Sequence, residues 1–358
     1  MAKRVLIGMS GGVDSSVAAL VLKQQGFEVV GATFRLFHES DLGVCGQSSC
    51  CSADDVNDAR MVCDKIGIAH YVLNYKELFR EKIVDAFVQS YLAGATPNPC
   101  ILCNRYIKFE AFLQKAQSMG FDYIATGHYA RILRGEHNGY ALFRAEAKGK
   151  DQSYVLYHLT QHSLAHMLMP LGGYDKQTVR EIAQHNDLLV AHKPDSQDIC
   201  FVPDGDYAAF IASYTGTPPR QGDFVDTKGN VLGKHNGVAG FTIGQRKGLG
   251  ISLGRSAFVV DIDASTGTVV LGDEQEVFAS TLVADDINMI DGLPVTGPFR
   301  CAAKIRYSHK EAPAMVTPLA NGRLKIEFDE PQRAITRGQA VVFYDGDRIL
   351  GGGTIAQL

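Results

Sequence analysis

RVLIGMSGGVDSSVAALVLKQQG, residues 4–26, reads as a short strand, a glycine-rich turn and a helix. Residues 4–9 form an apolar run, Ser10-Gly11-Gly12 interrupts it, and Val17, Leu20 and Val21 then recur at helical spacing until Gly26 stops the helix. Strand, glycine turn, helix is how a nucleotide-binding α/β unit opens. Backbone N–H groups across Gly8-Met9-Ser10-Gly11-Gly12-Val13-Asp14-Ser15, placed ahead of a helix N-terminus, suit a phosphate chain. No Lys follows the glycines, so the turn is not a Walker A loop, and its spacing fails G-x-G-x-x-G. Taken alone, such a turn is as readily a plain connection, and Asp14 as readily a first-turn acid complementing the helix dipole.

The alternation continues downstream. EVVGATF (28–34) reads as a strand, DDVNDARMVCDKIG (54–67) as a helix and AHYVLNY (69–75) as a strand; a long helix follows across KELFREKIVDAFVQSYLAG (76–94). IKFEAFLQKAQSMG (107–120) is helical and FDYIATG (121–127) is a buried strand. Strands separated by helices predict an α/β domain with a mostly parallel, doubly wound sheet. The character changes after residue 208. GTPPRQGDFVDTKGNVLG (216–233) and GVAGFTIGQRKGLGI (237–251) are rich in Gly, Pro and short β runs. Beyond 278 helical periodicity disappears, and FRCAAKIRY, PAMVTPL, GRLKIEF and QAVVFYDGDRILGGGTIA alternate and turn like a small β-barrel. The expected domains are therefore 1–208, 209–277 and 278–358.

Composition is compatible with two or three domains: 358 residues, 46% hydrophobic and 21% charged, are ordinary globular values. No apolar run reaches membrane-spanning length, and Val5–Met9 is too short for a signal-peptide core, so a soluble, cytoplasmic protein without a membrane partner is expected. A net charge of −4 supplies no global attraction for nucleic acid. Any RNA contact must come from local basic groups such as Arg246-Lys247 or Lys304, Arg306 and Lys310.

Eight cysteines in such a chain point to reduced, catalytic or metal-bound thiols rather than a disulfide framework. Cys63, on a helix, and Cys301, on a strand, read as small buried hydrophobes. Cys100 and Cys103, in TPNPCILCNRYIKF (96–109), and Cys200, in KPDSQDICFVPDGD, sit in polar, turn-rich surroundings. A helix N-terminus or a cation such as Arg105 or Lys108 can activate a thiol in such a setting. The C-x-x-C step alone leaves a metal clip, a redox couple, a nucleophile and plain buried thiols all open.

Ser-Gly-Gly-x-Asp-Ser directly after the first strand resembles the PP-loop of N-type ATP pyrophosphatases. Those enzymes split ATP between the α and β phosphates and adenylate an oxygen of their substrate. The resemblance implies pyrophosphate binding by Ser10, Gly11, Gly12 and Ser15, with Asp14 placing Mg²⁺ or phosphate. Adenylation turns a poor leaving group, a uracil carbonyl oxygen, into AMP, after which a sulfur nucleophile can attack.

SGGVDSSVAA, TPNPC-ILCN-IKF, ATGHYAR, KDQSYVLY, DSQDICF, GQRKGLGI and VVFYDG-ILGGG, in this order, resemble the tRNA-specific 2-thiouridylase family across nearly the whole chain. The resemblance implies a PP-loop domain of the adenine nucleotide alpha hydrolase-like kind, a small central β-rich domain and a C-terminal β-barrel. It implies ATP-dependent thiolation of the wobble uridine at C2 in tRNAs such as those for Lys, Glu and Gln. Cys200 would carry sulfur as a persulfide received from a cysteine desulfurase or relay protein. Cys103 would be the nucleophile, and the two could close a disulfide when sulfur leaves. ATP would also touch Gly8, Met9, Val13, Phe34 and Gly127; Asn98, Pro99 and Cys100 would line the base pocket; His128, Lys150, Asp151, Gln152, Arg306, Tyr307 and Gln339 would contact tRNA. Cys100 departs from the family pattern, whose usual residue there is Asp, and a thiol orients or protonates a base less well than that acid at neutral pH.

Cys100, Cys103 and Cys200 could alternatively hold a [4Fe–4S] cluster, either for the same reaction or in a non-catalytic RNA-binding protein. Zinc fits less well, because a closed structural site would shut out the chemistry. A PP-loop ligase using nitrogen attack is a further alternative. Cys45, Cys50 and Cys51 could relay sulfur, bind metal, or have no role.

Overall fold

The protein is described as a computed structural model covering residues 2–37, 53–135, 139–195 and 199–357. Cys45, Cys50 and Cys51 lie outside the described residues. The N-terminal part is built on a five-stranded parallel sheet in the order β3-β2-β1-β4-β7, formed by His70–Asn74, Glu28–Arg35, Arg4–Gly8, Tyr123–Ala125 and Met167–Leu168. Val5, Leu6 and Ile7 of β1 are all fully buried, with Val5 and Ile7 in one apolar cluster and Leu6 in another. Burial on both faces is why β1 reads as a continuous apolar run rather than an alternating one.

Helices α1 (Val13–Gln24), α2 (Ala53–Ile66) and α5 (Lys176–His185) pack their apolar stripes in the first cluster. Helix α4 (99–118) lies on the opposite face, contributing Ile101, Phe109, Phe112 and Leu113 to the second. A third cluster joins α3 (76–92) to α6 (Tyr207–Thr215) through Phe79, Phe87, Phe201 and Phe210. Both α3 and α4 contain π-helical stretches, Arg80–Val84 and Cys103–Ala111. Such wide turns recur at functional sites because they re-aim the side chains that follow.

The central part is a four-stranded sheet, β10-β11-β8-β9, made from Phe258–Asp263, Thr268–Gly272, Gly222–Asp226 and Val231–His235. The C-terminal part is a closed six-stranded barrel: β12 (Phe278–Met289), β15 (Leu324–Arg333), β14 (Ala312–Pro318), β13 (Phe299–Lys304), β16 (Ala340–Asp345) and β17 (Arg348–Gln357), with β17 returning to β12. Closure leaves the six strands no open edge in the ring.

One feature departs from the sequence reading. Residues just after β4 form a hairpin, β5 (Ala130–Arg134) and β6 (Tyr140–Arg144), which extends the barrel sheet by pairing with β17 at Phe143–Arg348 and Leu142–Ile349. The N-terminal segment thus supplies two strands to the barrel sheet.

Candidate active site

In a parallel sheet of this order, β1 and β4 flank the point where the chain reverses its direction of travel across the sheet, and ligands bind beyond the carboxyl ends of such strands. The glycine loop leaves β1 there, and Thr126-Gly127-His128 leave β4 beside it. Between them lies a cavity of about 230 Å³ lined by Gly8, Met9, Ser10, Asp14, Ser15, Thr33, Phe34, Leu36, Lys108, Thr126, Gly127, His128 and Gln152. The structure therefore brings together most residues expected around ATP, with Gly11, Gly12 and Val13 on the same loop.

Local geometry explains the residue types. Gly11 has φ of +72°, and a Cβ there would strike the backbone of Asp55. Gly12 caps α1 without a side-chain hydrogen bond, so the helix's first N–H groups are not capped by a side chain of their own N-cap. Ser15 Oγ lies 3.2 Å from both the Ser10 amide and the Ser10 hydroxyl, which closes the loop on itself. Gly127 packs so tightly on α1 that a Cβ would sit 2.8 Å from the Ser15 nitrogen.

Charge around the loop is organised largely by residues to which the sequence reading had given no role there. Lys176, at the start of α5, donates to both Asp14 oxygens at 2.7 and 2.8 Å and lies 2.8 Å from Asp195. Tyr129 donates its hydroxyl to Asp14 at 2.6 Å. Asp195 also receives Lys150 at 2.8 Å and Arg180 at 3.3 Å. Lys193 pairs with Asp55 and Asp58 on α2 at 2.7 and 2.6 Å. Two residues of the segment leading to Cys200 are thus anchored around the loop.

Burial alone would push the Asp195 carboxyl up, but hydrogen bonds from Lys150 and Lys176 outweigh it and hold it at about 2. An unfolded Asp titrates near 3.8. The folded state therefore keeps this carboxylate ionised to lower pH, so its stabilisation is complete above about pH 4 and is lost as pH falls toward 2. Asp195 is only 24% exposed, and the shift corresponds to about 2 kcal/mol. Urea denaturation at stepped pH should show this slope in the wild type and lose it in Asp195→Asn. An unchanged slope in the variant would show that other carboxylates carry it.

Phe34 and Leu36, which line the loop cavity, share an apolar cluster with Cys103 and Cys200. Asn98 caps α4 by accepting the Cys100 amide at 3.1 Å, with Pro99 at the first helical position. The C-x-x-C pair accordingly lies inside the helix, with Cys103 beginning its π-helical stretch. Cys103 and Cys200 pack against the same aromatic cluster, which also includes Leu36 and touches Phe34. Cys100 is exposed and near enough to Tyr307 to bear on its ionisation. Cys63 is fully buried, its thiol pushed up to about 12 by burial and Asp64; burial likewise raises Cys301.

Among the described residues, no group of three or more His, Cys, Asp or Glu side chains is arranged to hold a single metal ion. For Mg²⁺ the donor chemistry fits, because Asp14 offers a carboxylate beside the loop and this ion takes one or two carboxylates plus substrate phosphates.

The residues expected on tRNA are divided. His128 is 9% exposed, lines the loop cavity, and is held well below its ordinary pKa by burial and Lys108. Gln152 accepts the Tyr129 amide, and Asp151 accepts from Ala145 and Ser153. Gln339 donates to the Thr96 carbonyl at 2.7 Å, fastening the segment before Cys100 to the barrel. Arg306 donates to the Ile243 carbonyl and the Thr336 hydroxyl. Tyr307, 47% exposed, stays on the surface with Lys304 Nζ 5.6 Å from its ring. Burial and then Arg306, Arg333 and Lys304 lower His309, which marks this barrel face as electropositive.

Comparison with known proteins agrees across the whole length. Residues 3–204 match the family described as tRNA methyl transferase HUP domain, 208–273 the tRNA methyl transferase PRC-barrel domain and 279–355 the Aminomethyltransferase beta-barrel domain. A protein of Clostridioides difficile (strain 630) named tRNA-specific 2-thiouridylase MnmA is 52% identical over 356 residues, covering 99% of this chain and 98% of the relative. Same-named proteins of Acetivibrio thermocellus and Carboxydothermus hydrogenoformans are 53% and 52% identical, each over 99% of this chain and over 99% and 97% of their own lengths. With a glycine loop at the sheet's switch point and this identity from end to end, the chain belongs to the tRNA-specific 2-thiouridylase family.

Proposed function

We propose that the chain thiolates the wobble uridine of tRNA at C2, using ATP to activate the oxygen and a cysteine persulfide to replace it. The observation that carries this reading is the sharing of Phe34 and Leu36: both line the loop cavity, and both touch the aromatic cluster on which Cys103 and Cys200 pack. A base standing against that layer would have the nucleotide on one side and sulfur on the other.

The uridine O2 attacks the α-phosphorus of ATP, and pyrophosphate leaves toward the N–H groups at the start of α1. Mg²⁺, held by Asp14 and the phosphates, would offset charge on the departing group. Asp14 and Tyr129 orient that side of the site, and neutral His128 stands at the cavity wall. The outer sulfur of the Cys200 persulfide then attacks C2, and AMP leaves. The Cys103 thiolate attacks Cys200 Sγ, the sulfur–sulfur bond breaks, 2-thiouridine is released, and a Cys103–Cys200 disulfide remains for an external thiol to reduce. The donor that reloads Cys200 is a cysteine desulfurase or sulfur-relay protein. Tyr307 and Lys304, on the electropositive barrel face beside Cys100, support an RNA footprint of stacking and phosphate contacts. The anticodon loop is already single-stranded, so presenting the wobble base is cheap.

The 1–208, 209–277 and 278–358 division enters this proposal as nucleotide chemistry, spacer and RNA-contacting barrel. The test is mass spectrometry of the wobble nucleoside after incubation with ATP, Mg²⁺ and a sulfur source, with and without reductant. The expected result is 2-thiouridine with AMP formed in step, and repeated turnover only with reductant. AMP release without any thionucleoside would favour a PP-loop ligase of another specificity.

A further inference from the structure

We propose that Lys176 is a positioning residue that couples occupancy of the glycine loop to the placement of Cys200. The inference rests on reading the loop as an ATP site and Cys200 as the sulfur carrier. Its basis is one ammonium shared between two carboxylates with different attachments. Lys176 Nζ meets Asp14, on the loop's helix, at 2.7 and 2.8 Å, and Asp195 at 2.8 Å. Asp195 stands five residues before Cys200. Five residues reach at most about 18 Å, so wherever Asp195 is fastened bounds where Cys200 can go.

The two carboxylates differ in what else holds them. Asp195 has Lys150 and Arg180 in addition, whereas Asp14 has the Tyr129 hydroxyl as its other described contact. Mg²⁺–polyphosphate arriving at the loop competes for Asp14, because a divalent cation binds carboxylate oxygens more strongly than a single ammonium does. Lys176 then loses one of its two anions and redistributes between Asp195 and phosphate. The restraint on Asp195 therefore differs between empty and loaded loop, which is the differential interaction a ligand needs to shift a distant group. Lys193, tied to Asp55 and Asp58, keeps the base of the segment fixed meanwhile.

The test reads Cys200 itself. In fully reduced protein, the rate of Cys200 alkylation by iodoacetamide is followed by peptide mass spectrometry, with and without Mg²⁺ and a non-hydrolysable ATP analogue. In the wild type the analogue should change that rate by about fivefold or more, and in Lys176→Met and Asp195→Asn by less than about twofold, with Lys176→Arg restoring the response. Asp195→Asn leaves the Asp14–Lys176 contact in place, so it carries the test if thermal melting shows Lys176→Met to be unfolded. Analogue binding is titrated separately for each variant. A wild-type response of full size in Asp195→Asn, or a wild-type rate that ignores the analogue, overturns the proposal. If the analogue response appears but no 2-thiouridine ever forms, the coupling stands and the thiolation reading falls; the reverse result separates them the other way.

Discussion

Cys200→Ser and Cys103→Ser should each abolish 2-thiouridine formation, by about 10³-fold or more, while tRNA affinity stays within about twofold. On the proposed mechanism Cys200→Ser removes the group that is delivered, because a serine oxygen cannot carry a transferable sulfur. Cys103→Ser would remove the thiolate assigned to break the sulfur–sulfur bond, and a hydroxyl is a far weaker nucleophile at neutral pH. Both side chains rest against the aromatic cluster and are half-buried, so exchanging one sulfur for oxygen leaves that packing nearly unchanged. Neither belongs to the electropositive barrel face, which is why binding should persist. Nucleoside mass spectrometry and gel shift decide the matter. Thiolation that survives either substitution refutes the role given to that cysteine. On the proposed order of steps Cys103→Ser should still release AMP once, because the Cys200 persulfide displaces it, whereas Cys200→Ser should not; AMP release that is blocked in Cys103→Ser would require that order to be revised.

Gly127→Ala should reduce AMP formation by about 100-fold although it adds one methyl group. The new Cβ would lie 2.8 Å from the Ser15 nitrogen and 2.9 Å from the Asp14 carbonyl carbon. Both are backbone atoms at the start of α1, so no side chain can swing away. The helix end must shift, and with it the N–H groups to which the proposed mechanism assigns pyrophosphate. Overpacking of this kind costs about 1–3 kcal/mol of stability. Thermal melting and an AMP-release assay should therefore fall together. Full activity with an unchanged melting temperature would show that α1 is not pinned against β4 as described.

Much of this was legible in the chain. The run RVLIGM is apolar throughout because β1 is covered on both faces, and the glycines fall where backbone meets backbone. Strands β14 and β15 alternate because only one side faces the barrel core, whereas β16 is buried on both faces, Val341 and Phe343 in the barrel core and Ala340, Val342 and Tyr344 against the N-terminal part. The α5 helix and the β5–β6 hairpin were not anticipated. The hairpin's strands are short and owe their place to β17, far along the chain, so local pattern carries little of the signal. Lys176, Lys193 and Asp195 escaped for a related reason: an ion pair is written in three dimensions, and isolated lysines in sequence look like solvated surface. Tyr129 and Asp195 sat inside ATGHYAR and DSQDICF, so those motifs held the signal without saying which atom mattered. His128, expected on tRNA, lines the loop cavity, while Arg306 and Gln339 hydrogen-bond to Ile243 and Thr96 in other parts of the chain, placements that local sequence does not reveal.

The hairpin that extends the barrel also sets a timetable for biosynthesis. Its partner on β17 is made about 200 residues later, so at ordinary ribosomal speeds β6 waits about 10–40 s with an unpaired edge. Pairings that span so much chain form slowly because the intervening loop must be closed first. The nascent first domain therefore passes through a stage in which an apolar edge is open to other chains. Strand β17 is the one that seals it, which makes completion of the barrel, rather than completion of the nucleotide domain, the moment at which this edge is covered.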